Sequence, residues 1–456
     1  MLWELSASEA AKKILNGQIT SVELTDACLE RIRETDAGIG AWAFLDPDLV
    51  REQALAMDDL RRRGRPVGPL HGVPVGVKDV FDTTDMPTAW GVDQFESRRP
   101  KSDATIISKL REAGAIILGK TVTTELAFAE LGDTRNPHNG KHTSGGSSAG
   151  SAAGVAAGHV PVSIGSQTNG SVIRPASFCG VYGFKPSRGV ISRQGCLQTS
   201  QTLDQVGVMG RSLEDVALLC DVLAGYDPAD PLSHMRPKPQ MLSGCRAEPP
   251  VNPCFAWFEL PYYDQLSDAM RQGLDELLDT LGANVDRLPA PQSFDEVVKN
   301  HQIIHEYEFC KNLETNPNMK PDQIHDALIP VLERARHITR EDYNLALEMV
   351  PAAENFFAAF FHDYDAIIAP SALAEAPLLN DGIGDPICST IWTFAGLPCI
   401  SLPWLDGESG LPAGVQLIGS AEEDDRLLRT AAWLEGILST SAEDGAEIGA
   451  AEGRTV

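Results

Sequence analysis

The chain has 456 residues, 43% of them hydrophobic, and its 37 basic against 64 acidic side chains give a net charge of −27. That balance excludes a disordered chain and disfavours partners that need a basic surface, nucleic acid and anionic membrane among them. No run of about 18 apolar residues occurs, so no membrane-spanning helix is predicted. The opening MLWELSASEAAKK has no basic segment leading into an apolar one, which predicts no signal peptide. The nine cysteines, odd in number and never spaced C-x-x-C, read as buried, reduced thiols of a cytoplasmic protein.

In chain order, Ser6-x-x-Glu9 and Thr20-x-x-Glu23 are capping boxes that each open an amphipathic helix, the second with Val22, Leu24, Ala27, Cys28 and Ile32 on its core stripe. A third helix is predicted from Asp46-Pro47 to near Gly64. The β-branched run Val73 to Val80 reads as a buried strand. Asp103 is expected to cap a helix through Ala113, and Ala115 to Gly119 to form the next strand. Strand, helix, strand at this spacing predicts α/β layering with largely parallel pairing. Ser148 to Gly158 reads as a small-residue helix and Val160 to Gly165 as a strand. The proline-rich stretch 227–261 reads as a connection, residues 264–361 as mostly helical, and the segments near Ala366 and Pro398 as further strands. The last residues, SAEDGAEIGAAEGRTV, read as a frayed acidic end.

Two places carry candidate chemistry. Thr143 to Lys185 is dense in Gly and Ser and holds none of the 64 acidic residues, a composition that lets backbone approach backbone or ligand. It reads as a serine-based catalytic core. Lys78 ends the apolar run Gly72-Val73-Pro74-Val75-Gly76-Val77, where an ammonium would be poorly solvated. Desolvation lowers a lysine pKa, the condition for a base. The competing reading of Lys78 is a strand-end lysine that reaches solvent or pairs with Asp79.

Taken in order, VPVGVKD, GGSSAGSAAG and GSQTNGSVIRPASFCGVYGFKP resemble the amidase signature family. ITSVELTDACLERI, GPLHGVPVGVKD and DATIISKLREAGAIILGKTVTTELAF look like that family's lead-in. YDAIIAPS and AGLPCISLPW…GLPAGVQLIG look like its closing strands. The resemblance spans roughly residues 5 to 435, weakly between about 230 and 350. It implies an α/β amidase signature fold: a large, mixed, mainly parallel twisted sheet sandwiched between helical layers. One amidase domain is expected over 1–440, with a helical lead-in (1–65), a variable, largely helical segment (226–350) shaping the substrate pocket, and an acidic tail (441–456). The resemblance also implies a Ser–cis-Ser–Lys triad: Ser171 as acylated nucleophile, Ser147 as bridging serine in a cis peptide bond, Lys78 as base. Thr168, Asn169 and Gly170 fall on its oxyanion and substrate-binding loop. No metal and no cofactor are implied; the partner is a small-molecule amide, and a homodimer is left open. Three positions depart from the family pattern. Gln167 stands for an acid and Ile173 for an arginine, which is displaced to Arg174, as though one ion pair had been replaced as a unit. Asn169 stands for a glycine, a residue type that tolerates positive φ.

The expected function is an amidohydrolase that cleaves a carboxamide C–N bond through an acyl-enzyme on Ser171, with Trp392 and Asn169 among the residues shaping substrate choice. The alternatives are the A subunit of a tRNA-dependent glutamine amidotransferase, an α/β-hydrolase, and a catalytically silent binding protein. Gly146-Ser147-Ser148-Ala149-Gly150 fits G-x-S-x-G with Ser148 as nucleophile and His337 or His362 as base, but no strand leads into it. No P-loop lysine is present. His301 and His305, one helical turn apart, read as partly exposed helix histidines without a third metal ligand.

Overall fold

The structure, a computed structural model, describes residues 1–65, 67–129, 132–316 and 324–452, with side chains as far as Ser439. Both capping boxes form. Ser6 Oγ accepts from the Glu9 N–H while the Glu9 carboxylate takes the Ser6 N–H, opening the helix Ala7–Leu15; Thr20 and Glu23 do the same for Ser21–Thr35. Leu24, Cys28, Leu29 and Ile32 bury the stripe of the second helix, and Val22 and Ala27 sit half-buried at its margin. Helix Pro47–Arg62 follows, capped by the Asp46 carboxylate. The next helix, Thr105–Glu112, departs from expectation at its start. Ala104 occupies the cap, while the Asp103 carboxylate accepts from the Thr84 N–H and pairs with Arg111.

Eleven strands form one sheet. The first six are β1 (Trp42–Leu45), β2 (Pro74–Lys78), β3 (Ile116–Thr121), β4 (Val162–Gln167), β5 (Tyr182–Lys185) and β6 (Gln205–Gly210). The rest are β7 (Phe255–Glu259), β8 (Val285–Pro289), β9 (Ala366–Pro370), β10 (Cys399–Asp406) and β11 (Pro412–Ile418). Their order is β1-β3-β2-β4-β6-β5-β10-β11-β9-β7-β8. The sheet is mixed, as expected, but less parallel than expected. β3-β2-β4 and β9-β7-β8 are parallel blocks, and every other neighbouring pair is antiparallel. The proline-rich stretch 227–261 is more than a connection, because it contains β7. The segment 264–361 is mostly helical (Asp268–Leu281, Ser293–Thr315, Ile329–His337, Arg340–Phe360) but also contributes β8; residues 317–323 lie outside the described ones.

Helices cover both faces, and the strands alternate between the two cores. Ile117 packs with Val75, Val77 and Ile164 on one side, while its neighbours Ile116 and Leu118 pack with Ala152, Val172 and Ala176 on the other. The helix Ala149–Ala156 owes its small residues to this second core. A Cβ on Gly150 would lie 2.1 Å from the Ala41 carbonyl oxygen and 2.4 Å from the Val122 nitrogen, so backbone meets backbone there. The last helix, Asp424–Glu452, continues through the acidic segment after Ser441; residues 453–456 lie outside the described ones. All nine cysteines are free, Cys196 and Cys254 half-buried and the others buried. Among the described residues no helix is long and apolar enough to cross a membrane.

Candidate active site

β2 and β4 are parallel neighbours, so their C-terminal ends reach the same edge of the sheet. Lys78 is the last residue of β2 and Gln167 the last of β4; the chain then turns through Thr168–Val172 into the helix Ile173–Cys179. Lys78 is fully buried, and its Nζ donates to Ser147 Oγ at 2.8 Å and to Ser166 Oγ at 2.9 Å. Desolvation lowers the Lys78 pKa from 10.5 to about 7, against an upward pull from the Cys196 and Asp204 side chains. Pairing with Asp79 does not occur. Successive strand residues point to opposite faces, and the Asp79 carboxylate instead meets Lys120 at 3.1 Å and accepts from the Ala89 N–H at 3.0 Å.

Ser147 follows a cis peptide bond from Gly146. Its carbonyl accepts from the Thr124 N–H at 3.2 Å, and the Gly146 carbonyl accepts from Arg174 Nη2 at 2.8 Å. Ser147 and Ser171 line one cavity of about 340 Å³ together with Thr168, Asn169 and Gly170. A larger cleft, about 790 Å³, opens beside Phe44, Asp79 and Glu125 and contains neither serine.

The departures around Ser171 each have a physical account. Gln167 Oε1 accepts from the Val172 and Ile173 N–H groups at 2.8 and 3.0 Å, the work an acid would do at the start of that helix; its Nε2 donates to Thr393 Oγ1 at 3.0 Å. Arg174 serves other groups, donating to Gly384 O at 2.5 Å and Gly146 O at 2.8 Å. A single ion pair replaced as a unit is therefore the wrong description, since two residues carry two separate tasks. Asn169 is not among the residues with positive φ, so left-handed tolerance is not why it fits. Its side-chain oxygen accepts from Thr390 Oγ1 at 2.8 Å, and its backbone carbonyl from Thr393 Oγ1 at 2.6 Å.

One disfavoured alternative fails, and two further expectations need correction. Ser148 is buried, with its Oγ between the Ser166 N–H (3.3 Å) and carbonyl (3.2 Å), while His337 and His362 are exposed; no nucleophile elbow forms. Trp392 is wholly buried against Phe294 and Phe357 and does not line the cavity, which Ile387 and Thr390 of the same helix do. His301 is a buried residue whose Nε2 donates to Thr168 O at 2.9 Å; burial holds its pKa down at about 4, so the ring is neutral. His305 lies against the Phe128 ring, with centroids 4.3 Å apart and planes tilted by 37°, and also borders the cavity. Both line the cavity from helix Ser293–Thr315, but only His301 departs from the expected exposure: it is buried, whereas His305 is half-buried. Ser166 and Thr393 carried no recognisable signal in the sequence, and His301 stood out only as one of a helical pair of histidines; His301 and Thr393 lie more than a hundred residues from the loop they touch.

The family profile described as Amidase matches residues 23–428. The chain belongs to the amidase signature family. Among its relatives is the A subunit of the glutamyl-tRNA(Gln) amidotransferase of Rhodopirellula baltica, 34% identical over 93% of this chain and 94% of that one. Its counterpart of the same name from Streptomyces coelicolor is 32% identical over 95% of each. Among solved amidase structures, the peptide amidase of Stenotrophomonas maltophilia superposes with a TM-score of 0.82 at 27% identity, over 95% of this chain and 96% of that one. A 6-aminohexanoate cyclic dimer hydrolase complexed with substrate superposes at 0.85 with 25% identity, over 96% and 97%. A protein described in a vestigial complex that bears on the origins of an s-triazine catabolic enzyme superposes at 0.89 with 27% identity, over 95% and 98%.

Proposed function

We propose that this amidase-family enzyme cleaves a carboxamide C–N bond through an acyl-enzyme on Ser171. The observation that supports this best is the hydrogen bond from Lys78 to Ser147, made by a lysine that desolvation brings near neutrality, in the cavity wall that also holds Ser171. In the first half-reaction Ser171 Oγ attacks the carbonyl carbon. Its proton passes to Ser147, whose own proton moves to Lys78. The backbone N–H groups from Thr168 to Ser171 receive the oxyanion. Return of the proton through the same relay frees ammonia or an amine as the C–N bond breaks. Water, deprotonated by the same route, then releases the acid and restores Ser171.

The cavity's own charges are partnered. Glu306 meets Arg334 at 2.7 Å and accepts from Gln302 at 2.9 Å, and Arg174 is held by two carbonyls. The Asp385 carboxylate accepts from the Ile387 N–H at 2.8 Å. This supports an uncharged carboxamide as substrate. A second reading is the A subunit of a tRNA-dependent glutamine amidotransferase, in which ammonia from glutamine passes to a partner protein. It is favoured by the full-length similarity to proteins of that name. Two measurements separate and test these readings. A fluorophosphonate should label Ser171, with labelling lost in Ser171→Ala and slowed in Lys78→Ala and Ser147→Ala; an unlabelled Ser171 would overturn both readings. The chain alone, given aliphatic, aryl, ureide and peptide amides and glutamine, should turn over a neutral amide. Ammonia release from glutamine only after a partner is added would favour the amidotransferase.

A further inference from the structure

The loop that carries the nucleophile is held from three directions, each through a backbone carbonyl. Thr168 O accepts from His301 Nε2 at 2.9 Å, on helix Ser293–Thr315. Asn169 O accepts from Thr393 Oγ1 at 2.6 Å, on helix Ile387–Phe394. Gly170 O accepts from the Arg174 N–H at 2.9 Å, within the helix that the loop leads into. Thr393 is oriented in turn, because its Oγ1 accepts from Gln167 Nε2 while donating onward to Asn169 O. The Thr168 hydroxyl is tied as well, to Asp204 at 2.6 Å and Thr199 at 2.8 Å.

A peptide group is planar, so the carbonyl of one residue and the N–H of the next move as one body. Fixing Thr168 O, Asn169 O and Gly170 O therefore fixes the direction of the N–H groups of Asn169, Gly170 and Ser171. Each accepted hydrogen bond also polarises its peptide and strengthens the N–H as a donor, by roughly 10–30% per bond in condensed-phase estimates. These are the N–H groups assigned above to the oxyanion.

We infer that His301 and Thr393 are positioning residues of the oxyanion hole, acting through the carbonyls of Thr168 and Asn169 rather than by touching substrate. The inference rests on the acyl-enzyme reading and assigns a task to two side chains that the triad leaves unused. It also accounts for Gln167: a carboxylate there could accept from the helix N–H groups but could not donate to Thr393.

The test compares His301→Ala with His301→Gln, whose amide Nε2 can donate to the same carbonyl, and Thr393→Val with Thr393→Ser. Measured on an anilide substrate, the Ala and Val variants should lower kcat about 10- to 100-fold with KM held within about threefold, since the lost alignment matters only in the transition state. They should weaken binding of a substrate-derived aldehyde, which forms an oxyanion on Ser171, and leave binding of the corresponding alcohol unchanged. Gln and Ser should restore most of the loss. The Thr393 pair keeps the test decisive if His301→Ala does not fold. Unchanged kcat, parallel loss of aldehyde and alcohol binding, or failure of both conservative variants to rescue while folded would overturn the inference. Fluorophosphonate labelling of the wild-type enzyme is the control: if Ser171 does not label, the acyl-enzyme reading has failed and the inference falls with it.

Discussion

Lys78 shows how burial alone changes the chemistry of a side chain. Its amine is fully buried and donates to two serines, and desolvation penalises the charged form enough to bring the pKa from 10.5 to about 7. Because the proposed base acts when deprotonated, kcat/KM should rise with pH through an apparent pKa of about 7, and a pH–rate profile checks it. A flat profile between about pH 5 and 9 would exclude Lys78 as the base. The same shift has a stability consequence. Below about 7 both the folded and the unfolded chain hold the proton, and the fold bears the whole cost of a buried ammonium. Between about 7 and 10.5 only the unfolded chain binds it, so stability rises with pH. Lys78→Met should therefore gain most in Tm below about pH 7, with the gain fading toward about pH 10. Thermal melts across that range read the trend. Arg174 offers a contrast, because its guanidinium spans two carbonyls that one ammonium cannot reach together. Arg174→Lys should lower kcat about tenfold by loosening one of the two contacts.

At the scale of elements, the strand ends matter more than the strands. β2 places Lys78 in the site and, one residue later, Asp79 on the other side against Lys120. That second lysine is fully buried and donates to Phe81 O, Pro87 O and Thr88 Oγ1 as well. Lys120→Met would strand the Asp79 carboxylate and should cost about 3–5 kcal/mol, measured by denaturant unfolding, with the Lys78–Ser147 contact untouched. The helix Ala149–Ala156 sets a different limit. Gly150→Ala forces a Cβ into the Ala41 and Val122 backbone and should cost at least about 1–3 kcal/mol. It should also lower activity, because Ser147 sits immediately before that helix.

The whole molecule does something no single element does, which is to bring residues from 78 to 393 to one edge of an eleven-stranded sheet. The parallel block β3-β2-β4 supplies Lys78 and the nucleophile loop. The segment 226–350, which resembles the family only weakly, supplies His301, Gln302, His305, Glu306 and Arg334 to the cavity wall. The most family-like part of the chain therefore holds the proposed reacting groups, and the least family-like part supplies much of the wall of the cavity beside them. A swap of residues 293–337 with those of another amidase should change the order of preferred amides while Ser171 labelling by a fluorophosphonate persists. Labelling should be slowed, though not lost, where the incoming segment brings no donor to Thr168 O in place of His301.

Much of this was legible in the residues alone. Capping boxes, the Asp46-Pro47 helix start and the buried strands are local, since a side chain three residues away or a run of β-branched residues suffices to specify them. Lys78, Ser147 and Ser171 were legible as a set because each lies in a short motif and the motifs fall in family order. Their neighbours were not. That Lys78 meets Ser147 depends on which face of the sheet the end of β2 presents to the loop at 146–147, which only the packed sheet settles. Asp103 lost its expected cap because Arg111 and Thr84 compete for its carboxylate. Trp392 left the pocket for an aromatic core, and His301 and Thr393 reach the loop from helices 133 and 224 residues away in sequence from the carbonyls they hold. Sequence determined the proposed reacting groups because their chemistry is carried by residue type. The tertiary structure decided which dipoles, carbonyls and charges surround them, because those contacts exist only once distant helices pack on the same sheet edge.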